Sequence, residues 1–114
     1  MDSCLFCKMV KGEIKPDTVY EDDEILAFRD INPQAPLHIL VIPKRHIATL
    51  NDLTPADAEL VGKLVLTAQQ IAKQEGFSEQ GYRTLFNCNA DGGQEVFHIH
   101  LHLLGGRRMS WPPG

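Results

Sequence analysis

VFHIHLHLL, residues 96–104, alternates apolar side chains with three histidines near the end of the chain. Alternation with a period of two is typical of a β-strand, in which residues two apart share a face about 6.6 Å from one another. The segment therefore predicts the last strand of a sheet, with His98, His100 and His102 projecting together from it. The intervening side chains are expected to face the core: Phe97, Ile99, Leu101 and Leu103.

Segments upstream supply further strands. Residues 82–87 predict a strand, joined to the histidine segment by a polar loop over 89–94. Residues 38–42 form a nearly continuous apolar run ended by Pro43, which is typical of a central strand. Its one polar residue, His38, therefore requires an explanation, either as a site residue or as a core histidine that bonds a backbone carbonyl.

The N-terminal half and the middle of the chain complete the fold. Residues 19–21 and 25–28 predict a hairpin around an acidic turn, and residues 4–11 predict one or two helical turns. Residues 54–76 predict the only long helix, with Thr54 as its cap and Pro55 in its first turn. The order predicts an α+β fold, an antiparallel sheet of about five strands. We expect one domain over 3–114, including a C-terminal tail, 105–114.

Composition limits the function classes. The chain has 114 residues and a formal charge of −4, with its eleven Lys and Arg dispersed, which does not fit a binder of duplex nucleic acid. No apolar run approaches the roughly 20 residues of a membrane span, and no secretory signal is recognisable. Three cysteines, an odd number, argue against a disulfide framework. We expect a cytoplasmic protein with no DNA, RNA or membrane partner.

Three interpretations of the histidine segment are open on spacing alone. It could be the solvated face of an amphipathic strand, although Thr, Lys or Glu would serve that purpose as well. It could hold a catalytic zinc through paired histidines and a third one. It could instead carry a nucleophilic imidazole that attacks phosphorus while its neighbours bind phosphoryl oxygens. Crowded imidazoles resist joint protonation, which keeps a nucleophile neutral near pH 7.

Several separated motifs carry a family resemblance. The run from His98 to Leu104 resembles the H-φ-H-φ-H-φ-φ signature of the histidine triad (HIT) superfamily, where φ is apolar. Further matches in order indicate the Hint branch, the histidine triad nucleotide-binding proteins: Ala27-Phe28-Arg29-Asp30-Ile31, Pro33-Gln34-Ala35-Pro36, Val41-Ile42-Pro43-Lys44, Asp91-Gly92-Gly93-Gln94 and the ending from Gly105 to Gly114. The resemblance implies a HIT-like fold with a short N-terminal helix.

The resemblance also implies residue roles. His100 would form a transient nucleotidyl-histidine, His102 would contact the phosphate, and His38 would support the nucleophile and proton transfer. Asp30 would bond the ribose hydroxyls. Apolar residues would surround the base: Leu5, Phe6, Met9, Phe28, Ile31 and Leu40. The phosphate would be held by Asn87 and by the loop of Gly93, Gln94 and Glu95, which must fold back, because a straight strand would put Gly93 about 23 Å from His100.

Glu95 departs from the common form of that loop, which has a Ser or Thr hydroxyl at this position. A carboxylate facing a phosphate is repulsive. We therefore expect the Glu95 side chain to turn outward and only its amide to serve the phosphate.

Cys4 and Cys7 have the C-x-x-C spacing of metal ligands, of a redox pair or of two unrelated buried thiols. The resemblance implies a structural Zn²⁺ held by this pair together with His46 and His98. Cys88 has no evident partner and is expected to be a small core residue.

The activity implied is hydrolysis of purine nucleoside 5′-phosphoramidates, such as adenosine 5′-phosphoramidate, with no metal required for the chemistry. Binding of a purine nucleotide such as AMP or GMP goes with it. Two alternatives are dinucleoside polyphosphate hydrolysis and a nucleotide-binding adaptor with incidental activity. The branch also implies a homodimer, in which the tail around Trp111 approaches the partner's site.

Overall fold

A computed structural model describes residues 3–114 of the chain. Its elements, in order, are α1 (Leu5–Val10), β1 (Thr18–Glu21), β2 (Ile25–Arg29), β3 (Leu37–Pro43), α2 (Ala58–Gln74), β4 (Tyr82–Leu85), α3 (Asn89–Gly92) and β5 (Leu101–Gly105). The strands form one antiparallel sheet in the order β1-β2-β3-β5-β4. The predicted α+β fold, with five strands and one long helix, is confirmed.

The central strand β3 divides the core between the two faces of the sheet. All seven of its residues are buried. Leu37, Ile39 and Val41 pack with Leu64 and Ile71 of α2 in the larger apolar cluster. Leu40 and Ile42 point the other way, into a smaller cluster with Phe6 of α1. His38 shares the parity of Leu40, so the fold places it on the face that α1 covers.

Helix α2 begins later than the sequence predicts. Residues Pro55–Asp57 form a 3₁₀ turn, and the α-helix starts at Ala58. The Asp57 carboxylate accepts a hydrogen bond from the Thr54 backbone N–H at 2.9 Å, which ties the turn to the residue before it. Among residues 3–114, no helix combines the length and the apolar character that crossing a membrane requires.

The prediction of one strand over 96–104 is wrong in its first half. The β3–β5 ladder ends at the pair Val41 and Leu101, because in this register residue 99 would lie opposite Pro43. Proline has no N–H to donate, and the Pro43 carbonyl accepts a hydrogen bond from the His98 side chain at 2.7 Å. Residues 96–100 therefore leave the sheet, and Phe97, which was expected in the core, is 48% exposed.

Candidate active site

His100 lies in this irregular segment and is held by its own chain. Its Nδ1 is 2.8 Å from the carbonyl oxygen of His98. A carbonyl can only accept, so Nδ1 carries the proton of the neutral ring and Nε2 keeps its lone pair. Burial lowers the pKa of His100, although its bond to the His98 carbonyl and the charges of Asp30 and Glu95 raise it. The result is a neutral imidazole with a free lone pair near pH 7.

His38 and His102 form a second hydrogen-bonded unit across β3 and β5. The backbone N–H of Gln34 donates to His38 Nδ1 at 3.0 Å. The His38 proton must then sit on Nε2, which lies 3.0 Å from His102 Nδ1 and 3.4 Å from a carboxylate oxygen of Asp30. If His38 donates to His102, the proton of the neutral His102 ring sits on Nε2. The sequence analysis missed the role of Gln34, since a backbone amide leaves no side-chain signal.

His102 Nε2 is the unusual atom of this unit. It is the only buried side-chain nitrogen or oxygen among residues 3–114 with no hydrogen-bond partner. Burial, followed by the proximity of His100 and His38, lowers the pKa of His102 to about 4. Burial also lowers the pKa of His38, against the attraction of Asp30. A buried donor without a partner is costly, so this N–H is poised for a ligand.

These side chains open onto a cavity of about 640 Å³. Its lining includes every residue proposed above to contact the nucleotide except Gln94 and Trp111, and it also includes His38. Ile31 contributes only at the rim, because it is 98% exposed rather than buried in an apolar pocket. Ile14 and Val96 are further apolar lining residues that were not expected; Val96 could have been found, because it has the parity of His98 and His100 in the alternating segment.

The loop before the histidines folds back as the resemblance implies, but its groups serve different purposes. Gly93 closes α3 with a φ of +76°, a conformation that favours glycine, and its N–H donates to the Ala90 carbonyl. Gln94 is buried and turned away from the cavity, with its side-chain amide bonded to Ala48 and Val96 carbonyls. The Gly93 amide is thus engaged within the loop rather than free for a phosphate.

Glu95 contributes the backbone amide of this loop that is not engaged in a hydrogen bond. Within the described residues its backbone N–H has no hydrogen-bond partner, and the residue is exposed while still lining the cavity. Its charge raises the pKa of His100. The outward orientation of its carboxylate stays a prediction, which the exposure of the residue fits.

A second cluster of donor atoms lies at the start of α1. One ligand atom from each of Cys4, Cys7, His46 and His98 lies within 4.8 Å of the others. His98 Nδ1 is 3.5 Å from Cys4 Sγ and 3.6 Å from Cys7 Sγ, and His46 Nδ1 is 3.3 Å from Cys7 Sγ. Zn–S and Zn–N bonds at a tetrahedral angle put sulfur and nitrogen roughly 3.5 Å apart, so the spacing fits a tetrahedral ion.

The tautomer of His98 fits the same cluster. Because Nε2 donates to the Pro43 carbonyl at 2.7 Å, Nδ1 has the free lone pair and faces the thiols. A ring fixed through its second nitrogen is the usual arrangement of a metal-bound histidine. The three histidines expected to act from one face are therefore separated, since His98 belongs to the thiols. Cys88, expected in the core, is only half-buried.

Asp30, His38 and His102 also bring donor atoms within 4.8 Å of one another. In this group, however, His38 presents the Nε2 that carries its proton, because Gln34 occupies Nδ1. A proton-bearing nitrogen is not a metal ligand. The geometry therefore favours a hydrogen-bond relay here over the catalytic zinc considered from spacing alone.

Comparisons with known proteins agree with this geometry. The HIT domain matches residues 11–109 of the chain. A purine nucleoside phosphoramidase of Escherichia coli (strain K12) is 51% identical over 108 residues, covering 95% of this chain and 91% of that protein. An uncharacterized HIT-like protein of Synechococcus elongatus is 55% identical over 113 residues, covering 99% of this chain and 98% of its own length.

Solved structures share the fold over almost the whole chain. A HIT family hydrolase from Legionella pneumophila Philadelphia 1 superposes with a TM-score of 0.97 at 61% identity, covering 98% of this chain and 100% of that one. A histidine triad protein from Clostridium difficile gives a TM-score of 0.92 at 47% identity, covering 96% and 95% of the two chains. The chain therefore belongs to the HIT domain family and is a hydrolase.

Proposed function

We propose that this protein hydrolyses purine nucleoside 5′-phosphoramidates to the nucleoside monophosphate and an amine. The observation that carries the proposal is the pairing of two complementary ring nitrogens at one cavity. His100 offers a lone pair on Nε2, and His102 offers a buried N–H without a partner. A phosphoryl group needs both, an attacking nucleophile and a donor for its oxygen or leaving group. The Escherichia coli relative is named for this activity.

The reaction has two steps. His100 Nε2 forms a bond to phosphorus, the P–N bond to the amine breaks, and the departing nitrogen takes a proton from His102 Nε2–H. Loss of this proton leaves His102 with a negative charge, which the His38 Nε2–H, 3.0 Å from His102 Nδ1, stabilises by its hydrogen bond until the second step returns the proton. In the second step water attacks phosphorus, its proton returns to His102, and the N–P bond to His100 breaks. The sum is water consumed, with an amine and a nucleoside monophosphate released.

The cavity provides a place for each part of a nucleotide. Apolar side chains of α1 and the sheet, with Phe6, Phe28 and Leu40 among them, suit a purine base. The Asp30 carboxylate is oriented by Asn32 N–H at 2.8 Å and keeps acceptor capacity for ribose hydroxyls. Asn87 and the Glu95 amide are the phosphate ligands, because the Gly93 amide is engaged.

Rapid quenching and intact-mass measurement test the mechanism. With adenosine 5′-phosphoramidate, a fraction of the wild-type chain should gain the mass of one adenylyl group on His100. The same experiment with a dinucleoside polyphosphate tests the alternative activity, hydrolysis of dinucleoside polyphosphates. Binding of AMP without any adduct or turnover would instead favour a nucleotide-binding adaptor and would refute the proposal.

We also propose a structural Zn²⁺ at Cys4, Cys7, His46 and His98. Support comes from the donor distances near 3.5 Å and from the tautomer of His98. The ion would fix α1, and with it Leu5 and Phe6, against the sheet. Thiolate ligands need a reducing compartment, which supports a cytoplasmic location. Elemental analysis of protein purified without chelators should find about one zinc per chain, and none in a folded protein would refute the site.

A homodimer is the remaining proposal. β4 is an edge strand, and its Tyr82 is 37% exposed. Helix α2, which contacts β4, carries Leu66 at 62% exposure. An exposed edge strand with apolar neighbours favours pairing with another copy. Trp111 is 84% exposed and would reach the partner's cavity. Light scattering should give twice the mass of the chain, and a monomer at micromolar concentration would refute the dimer.

A further inference from the structure

Glu95 brings an unpaired carboxylate to the reacting end of the cavity. Its backbone N–H is the unoccupied amide of the phosphate loop, the residue lines the cavity, and its charge acts on His100. Within residues 3–114 the carboxylate makes no ion pair and no hydrogen bond. Because a glutamate carboxylate lies about 4–5 Å from its own amide nitrogen, a phosphate held by this amide has the carboxylate as a close neighbour.

The cations of the cavity do not neutralise this charge. Only Lys15 and Arg29 among its lining residues are basic. Arg29 is taken by Glu75 at 3.0 Å and by Asp17 at 3.9 Å, and Lys15 comes from the segment that precedes Asp17 and has no contact with Glu95. Asp30, by contrast, is engaged by Asn32 and His38. Glu95 is therefore the carboxylate without a counterion where the phosphate is expected.

The charge matters for the choice of leaving group. A nucleoside phosphoramidate carries a negative charge on its phosphoryl oxygens, which Glu95 repels. A positive charge on the amine portion, a few bonds from the nitrogen that leaves, would form an ion pair with the Glu95 carboxylate. This attraction would offset the repulsion between the carboxylate and the phosphoryl oxygens. The exposed position of the side chain at the cavity mouth leaves room for such a group.

We infer that Glu95 is a specificity-determining residue that favours phosphoramidates whose amine portion carries a further ammonium group. The inference rests on the proposed phosphoramidase function and names the substrate class of that site. An ion pair at an exposed position contributes up to about fivefold in binding. The expected preference is therefore modest and measurable as a ratio between two matched substrates.

The matched substrates are adenosine 5′-phosphoramidates of butylamine and of 1,4-diaminobutane, which differ by a terminal ammonium. For the wild-type chain, kcat/KM should be about fivefold higher for the diamine substrate. In Glu95→Gln the ratio should fall to about one, whatever the absolute rates of the two substrates. Glu79→Gln removes the same charge from an exposed position outside the cavity and should leave the ratio unchanged.

Two outcomes would overturn the inference: a wild-type ratio near one, or a ratio that survives in Glu95→Gln. Failure of the proposed function has a different signature, since neither substrate would then be hydrolysed. In that event calorimetric Kd values of the same two compounds supply the ratio. A Kd ratio that Glu95→Gln abolishes still supports recognition of the ammonium, and an unchanged Kd ratio refutes it.

Discussion

Two histidines two residues apart, His98 and His100, have been given opposite roles by the nitrogen that each one uses for the backbone. His98 Nε2 donates a hydrogen bond to the Pro43 carbonyl, and His98 Nδ1 faces the two thiols. His100 Nδ1 donates a hydrogen bond to the His98 carbonyl, which leaves the lone pair of Nε2 available at the cavity. The residue type is the same, so the second hydrogen bond of each ring is what distinguishes the proposed metal ligand from the proposed nucleophile.

The two groups are also joined. The His98 carbonyl holds His100, and the Phe6 ring packs edge-on against both imidazoles, with centroids 5.8 and 5.1 Å away. Even so, the comparison predicts separable effects. Changes in the thiol cluster should act mainly on stability, whereas changes around the cavity should act mainly on turnover.

The largest effect is expected for His100→Ala. Removing the proposed nucleophile should lower kcat by about 10⁴-fold or more with adenosine 5′-phosphoramidate. Zinc content and melting temperature should stay close to those of the wild type. Turnover at an undiminished rate would contradict the division between the two groups.

Cys7→Ser should act on the other group. Loss of one thiolate from a buried four-ligand cluster should reduce bound zinc to well below one equivalent and lower the free energy of unfolding by about 3 kcal/mol. Denaturant titration with and without a chelator measures this. Cys88→Ser, a thiol outside the cluster, is the matched control and should keep both the zinc and its sensitivity to chelator.

His38→Ala should be smaller in effect than loss of the nucleophile. His38 acts on the reacting atoms through His102 and also contacts Asp30, so its removal should lower kcat by about 10²-fold and change KM for the phosphoramidate less. His38→Gln, which retains a side-chain donor, should recover part of the loss. An equal loss in both variants would mean that donation to His102 is not the role of His38.

The smallest effect concerns pH. An unfolded histidine titrates near pH 6.5, whereas the pKa of folded His102 is about 4, so the unfolded state binds this proton first as the pH falls. The contribution of His102 is therefore complete above pH 6.5 and is lost between pH 6.5 and 4, amounting to about 1 kcal/mol by pH 5 after solvent screening. Melting curves of wild type and His102→Asn should converge as the pH is lowered. A stability difference between the two proteins that stays constant with pH would contradict this role of His102.

The sheet and the long helix could be predicted because their signals are local. The apolar run around Ile39 predicts a buried strand, and the helical spacing around Leu64 predicts which face of the helix is buried; both residues lie in the core. The boundaries of β5 could not be predicted, because they depend on Pro43, more than fifty residues earlier in the chain. A period of two in residues 96–104 indicated a strand where the partner strand had no N–H to offer.

The candidate site divides in the same way. His38 could be singled out as a polar residue within an apolar strand, and the resemblance brought in Asp30 and Asn87. The resemblance could not reveal which loop amide is free, because that depends on the turn of α3 and its bond from Gly93 to Ala90. Gln34 orients His38 through its backbone N–H, and the sequence carries no signal for a backbone hydrogen bond.

The early end of β5 also sets how the two imidazoles of the proposed mechanism, those of His100 and His102, can move. His102 lies inside the sheet, opposite Leu40 on one side and Leu85 on the other. Releasing it requires two ladders to open, an event close to global unfolding. His100 is held outside the sheet by single bonds, such as that from Ile99 N–H to the Ile47 carbonyl at 2.7 Å. The segment around His100 can therefore open locally and exchange its amide protons while His102 stays protected.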